Sequence, residues 1–284
     1  MVLRIDPAWL AFDLLNVLFM IIYPIVTAVW AHSYLRVSWR YVGYGALIFF
    51  LFQLITRIPA VQVIQLGIAP ALARSPSLLW GWLLALAISA GLFEEIGRYV
   101  GYRWLMGREA KSWPRAVMYG IGHGGLECWF TALLAAASLV NLLVLGQTDL
   151  STLPPAARVE ITRQIAVLNA QPVWFPLLGA WERLWTLPVQ VALSVIVLQV
   201  FQRRQSRWLW FAVAAHALVD LSPLALNRIL ARAPLTASLL SEALIAIFGL
   251  IALATIIRFR LMPTAEPEVR IGTHTPGEIA PPAS

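Results

Sequence analysis

Residues 78–106 read LLWGWLLALAISAGLFEEIGRYVGYRWLM. From Leu78 to Phe93 no side chain is charged, and the whole stretch exceeds the ~20 helical residues needed to cross a bilayer. Glu94, Glu95 and Arg98 then stand in the same apolar run. Ionisable groups at membrane depth cost about 3 kcal/mol upward, so they survive where they face a protein interior and have partners. The stretch therefore reads as a membrane helix with a functional stripe.

The rest of the chain repeats this pattern. Of its 284 residues, 60% are hydrophobic and 12% charged, about half the charged share of an ordinary soluble domain. Apolar runs bounded by breakers predict an all-α, polytopic bundle of seven spans, near 9–31, 41–66, 78–106, 115–145, 173–201, 208–230 and 236–258. The formal charge of +7 does not mark a nucleic-acid binder, because the basic residues fall between apolar runs. Arg36 and Arg40, Arg103 to Arg115, Arg203 to Arg207, and Arg258 with Arg260 occupy alternate loops. The positive-inside rule then puts the N-terminus outside and the C-terminus in the cytoplasm. Arg228 and Arg232 break the bias and keep an eighth, re-entrant segment open.

No basic region leads into a short apolar core at the N-terminus, so the first run reads as a retained span and not a signal peptide. Cys128 is the single cysteine, so the chain has no intramolecular disulfide and no zinc site built on cysteines. Residues 148–171 contain Ile161, Ile165 and Leu168 on one helical face, an amphipathic element on the outer surface. The transmembrane domain is expected to span residues 1–260. The segment from 261 to 284, rich in Pro, Glu, Thr and Ala from Pro263 onward, is expected to be disordered. No internal repeat of the transporter type is visible.

Polar residues recur in the other spans. His123 and Glu127 lie in YGIGHGGLE, Glu182 and Arg183 in the fifth span, and His216 and Asp220 in HALVD. Glu94 with Arg98, His123 with Glu127, and His216 with Asp220 are i, i+4 pairs, each on one helix face. At ~1.5 Å per residue, Glu94 lies about 18 Å and both histidines about 12 Å from the expected cytoplasmic ends. The three helices can thus place one cluster in that half of the bundle. A buried structural ion pair accounts for Arg98 equally well, and Gly122, Gly124 and Gly125 serve close helix packing or make room for a substrate backbone. Asp13 and Glu242 carry no motif and stay outside the site.

Glu and His together supply what amide hydrolysis needs: a base for water, a stabiliser for the oxyanion and a proton donor for the leaving nitrogen. No GxSxG turn points to a serine nucleophile. His123, His216 and Glu94 form an alternative zinc set of two imidazoles and a carboxylate, without HExxH spacing.

These motifs resemble the YhfC-type membrane peptidases, related to the CAAX-protease and bacteriocin-processing superfamily of glutamate-type intramembrane proteases. The resemblance covers residues 90 to 225. It rests on Glu94-Glu95 followed by Arg98, Tyr119 four residues before His123, His216 four before Asp220, and the GIGHGGLE and ERLWTLPVQVALS stretches with Glu127 and Glu182. It implies that Glu94 and His123 activate water, His216 and Asp220 stabilise the oxyanion, and Arg98 orients the acidic pair. Two departures stand out. Two residues separate the double Glu from Arg98 where the superfamily often has three, which leaves Arg103 as an alternative, and Gln190 stands where YhfC-like chains tend to have His.

The resemblance implies a multi-pass protein of a bacterial inner membrane acting on peptide or membrane-protein substrates, without cofactor or alternatively with zinc. A proton-coupled transporter using the buried acids as a relay, and a catalytically silent scaffold or immunity protein, are the non-enzymatic alternatives.

Overall fold

The computed structural model describes residues 6–149 and 152–262. The helices are α1 (Pro7–Leu35), α2 (Arg40–Phe49), a π-helical turn (Phe50–Arg57), α3 (Ile58–Arg74), α4 (Pro76–Trp104), α5 (Trp113–Gln147), α6 (Pro155–Asn169), α7 (Leu177–Gln202), α8 (Arg207–Ile229) and α9 (Pro234–Leu261). Because α2, the π turn and α3 form one continuous rod, seven helical units are long and apolar enough to span a membrane. The fold class is the one expected. The second span runs on to Arg74, and a single residue, Ser75, turns the chain into α4. Its hydroxyl accepts from Leu78 N at 3.3 Å while Pro76 occupies the first turn, where a missing N–H costs nothing.

The two re-entrant suspects resolve simply. Arg228 lies in the last turn of α8, and Arg232 in the short link from Ile229 to Pro234. The expected amphipathic segment is α6, which buries Ile165 and exposes Val159 and Val167. Arg163 and Gln164 donate to the Glu160 carboxylate on its outer side and hold it down to about 2. The tail beginning at Pro263 lies outside the described residues.

The widened turn has a local cause. Pro59 has no N–H to give the carbonyl one turn back, and its ring crowds that carbonyl. The helix swells, and Thr56 Oγ1 donates to the carbonyls of Leu51 (3.0 Å) and Phe52 (2.5 Å). Such turns concentrate at functional sites, and this one aims Gln53 and Arg57 into the bundle.

Most of the apolar stretch of α7 is buried, from Val189 to Gln199 without a break, so the other helices pack around it. Leu14, Leu15, Ile22, Val26 and Val29 of α1 are among the large apolar side chains left facing outward, as a lipid-facing surface requires. Two glycines of α5 set its depth. A Cβ on Gly120 would lie 2.6 Å from the Cα of Val191 in α7, and one on Gly122 would run into the Val42 carbonyl of α2. The backbones touch there, as small residues allow in membranes, and His123 is carried into the centre.

Candidate active site

Adjacent positions on α4 supply Glu94 and Glu95, whose side chains leave the helix about 100° apart. Glu95 and Arg98 are fully buried and Glu94 is 3% exposed. Arg98 Nε donates to Glu95 Oε2 at 2.9 Å and Nη2 to Oε1 at 3.3 Å, a forked pair on one turn of helix. The same guanidinium donates to the Gln190 carbonyl at 3.3 Å and to Gln190 Oε1 at 2.6 Å. Arg98, and not the exposed Arg103, therefore pairs with Glu95 of the double Glu. Tyr119, the aromatic before His123, donates its hydroxyl to the Arg98 carbonyl at 3.2 Å.

Two imidazoles converge on Glu94. His123 Nε2 lies 2.9 Å and His216 Nε2 3.7 Å from the same oxygen, Oε2. The other nitrogen of His216, Nδ1, bonds Glu95 Oε1 at 2.8 Å. Because Arg98 already pairs with that carboxylate, Nδ1 is the donor, and Nε2 is left facing Glu94 and Asp220 Oδ2 at 3.8 Å. His123 Nδ1 is buried without a protein partner, its ring edge-on to Phe49. Five of the eight expected site residues, Glu94, Glu95, Arg98, His123 and His216, thus form one connected buried network.

The other three stand further out. Glu127 accepts from Gln190 Nε2 at 2.8 Å and from Arg183 Nη1 at 2.6 Å. Glu182 meets the network through its ion pair with Arg183. Asp220 keeps its side chain 37% exposed. These three share the wall of a cavity of about 360 Å³ with Arg57, Gln190 and His216.

Gln53 and Arg57 were missed. Gln53 Nε2 donates to Glu94 Oε1 at 2.6 Å, and Arg57 Nη1 donates to Gln53 Oε1 at 3.2 Å while Nη2 reaches the Leu86 carbonyl at 2.6 Å. They stand four apart in FLFQLITR, the same signal that marked the other pairs. Gln190 proves to be a hub, its amide oxygen on Arg98 and its nitrogen on Glu127 and, at 3.4 Å, on Glu94 Oε2.

The donors suit a metal chemically: two imidazole Nε2 atoms face one carboxylate oxygen, and a buried carboxylate steadies one ring from behind, as metal-bound histidines require. In the structure His123 Nε2 hydrogen-bonds Glu94 Oε2 while His216 Nε2 stands 3.7 Å from it, and among the described residues no three such side chains are already arranged as a metal shell. A metal would be held by His123, His216 and Glu94 in place of that hydrogen bond.

The chain is 30% identical over 210 residues to the uncharacterized membrane protein YhfC of Bacillus subtilis (strain 168), an alignment covering 69% of this chain and 77% of that protein. No solved structure matches it. The model of the YhfC intramembrane metalloprotease family matches residues 19–241, from the first span to the start of the last and across the whole network, and the chain belongs to that family.

Proposed function

We propose that this protein is an intramembrane peptidase that hydrolyses a peptide bond of a membrane-protein or peptide substrate at Glu94. The observation that carries this reading is the convergence of His123 and His216 on one buried carboxylate oxygen beside a polar cavity. A water next to Glu94 Oε2 loses its proton to the Glu94–His123 pair as its oxygen attacks the peptide carbonyl. His216, doubly protonated with its Nδ1–H held by Glu95, donates from Nε2 to the oxyanion, with Asp220 beside it. When the C–N bond breaks, the proton taken from water passes to the leaving nitrogen. Arg98 touches no reacting atom and acts by holding Glu95 and Gln190.

The convergent imidazoles, and the description of the family as metalloproteases, favour a second form of the same reaction. In it a divalent metal, zinc by donor type, is held by His123, His216 and Glu94. Bound there, it would supply Lewis-acid polarisation and a more acidic water.

Cleavage of a membrane peptide by purified protein in bilayers tests both. Glu94→Gln, which keeps the shape and removes the base, is expected to lower the rate by about 10²–10⁴-fold with thermal unfolding unchanged. A folded variant that cleaves like wild type would end this reading. Metal content by elemental analysis, with chelation and zinc add-back, separates the two forms: stoichiometric metal and zinc-restored activity select the second, and chelator-resistant cleavage the first.

A further inference from the structure

The polar cavity beside His216 and Asp220 shares two lining residues, Glu182 and Pro223, with a second cavity of about 440 Å³. The second lies at one end of the bundle. Its walls come from the first turns of α1 (Trp9, Asp13), the start of α7 (Gly179), the end of α8 (Asn227) and the start of α9 (Ser241, Glu242). Seven alternating spans put all of these on the face that carries α6.

The way from Glu94 to the opposite face is packed. Tyr102 in the last turn of α4, Met106 just after it, Met118 and Tyr119 of α5, Leu198 of α7 and Ala212 of α8 are each 0% exposed and belong to one apolar core on that side of the Glu94 network. By helix length Glu94 is nearer that closed end, ~15 Å from Trp104 against ~27 Å from Pro76. The cavities nevertheless lead the longer way.

The outer cavity suits water: Asp13, Asn227, Ser238, Ser241 and Glu242 put polar side chains in its wall, the kind of roomy polar site that solvent occupies. It is also acidic: Asp13, Glu182 and Glu242 line it, and no Lys or Arg does among the described residues.

We propose that the two cavities form one acidic, water-bearing passage, through which hydrolytic water and a positively charged hydrophilic end of the substrate reach Glu94 and His216 from the α6 face. The assignment of a substrate end rests on the peptidase reading, while the passage does not. At its outer mouth, where the lining charges are carboxylates, cations are concentrated and their arrival is speeded.

Ser241, in the wall of the outer cavity, is the reporter. Ser241→Cys in sealed vesicles is treated from either side with a cationic and an anionic methanethiosulfonate, with rates normalised to a free thiol. Ser238→Cys serves if the first variant unfolds. Wild type, whose Cys128 is buried, gives the background, Leu250→Cys, 56% exposed on α9, the lipid control, and Thr162→Cys on α6 the side. The expected result is labelling from the side that labels Thr162→Cys, with the cationic reagent about ten-fold faster or more. Labelling no faster than at Leu250→Cys, labelling from the other side only, or an anionic rate that equals or exceeds the cationic one overturns the proposal. Labelling needs no peptide, so a labelled protein that cleaves nothing sinks the peptidase reading alone. An unlabelled one whose cleavage still requires Glu94 sinks the passage alone.

Discussion

Arg98 is the residue on which the network turns. Its guanidinium is fully buried and gives two bonds to Glu95 and two to Gln190, a load that suits the rigid fork of arginine and not a lysine ammonium. Arg98→Met removes those bonds and leaves the buried Glu95 carboxylate with the His216 Nδ1–H bond but without its guanidinium partner. We expect a loss of about 3–5 kcal/mol, read as a lowered denaturation midpoint in detergent, with partial recovery in Arg98→Met/Glu95→Gln. A double variant no more stable than the single one would contradict the pairing. The contacts of Gln190 can be set against those of the histidine that the family resemblance led us to expect there. A neutral imidazole offers one donor and one acceptor, and the amide here uses its oxygen on Arg98 and its nitrogen on two carboxylates. Glutamine can replace the hydrogen bonds of a histidine, though not its titration or its metal affinity.

Among the elements, α5 carries the tightest constraint. At Gly120 the nearest atom to an added methyl is backbone of α7, which cannot rotate aside. Gly120→Ala should push α5 outward and cost about 1–3 kcal/mol, with cleavage reduced because His123 lies one turn on. Gly43→Ala, in α2, meets nothing within 4 Å and should be neutral or stabilising by up to ~1 kcal/mol. Paired thermal melts check both, and equal melting points would remove the packing argument. The π turn illustrates what hydropathy does not contain. The charge of Arg57 was visible as a residue type, but its direction depends on a swelling of the helix at Pro59 that no apolar count registers.

For the whole molecule, the seven alternating spans gather Arg36, Arg40, Arg103, Arg108, Lys111, Arg115, Arg203, Arg204, Arg207, Arg258 and Arg260 on one face. Some are engaged there, as Arg40 with Glu109 and Arg260 with the Tyr34 hydroxyl. We propose that this face is cytoplasmic. A fluorescent protein fused at the C-terminus should then fluoresce, and alkaline phosphatase inserted before α6 should be active. The reverse pattern would invert the topology, and with it the side to which the polar cavities open.

Hydropathy alone determined the spans, their number and the all-helical class, because crossing a bilayer is a demand on length and composition that each segment meets by itself. The i, i+4 spacing of charged residues likewise determined which helix faces turn inward. Tertiary packing decided the rest. Whether Glu94 or Glu95 receives His123 is a matter of how α5 sits against α2 and α7, set by backbone contact at Gly120 and Gly122. Asp13 and Glu242, without a motif, became cavity walls only because α1 and α9 flank the start of α7. A side chain's partners across helices depend on the rotation and depth of each helix. Those are properties of the packed bundle and are carried by no single segment.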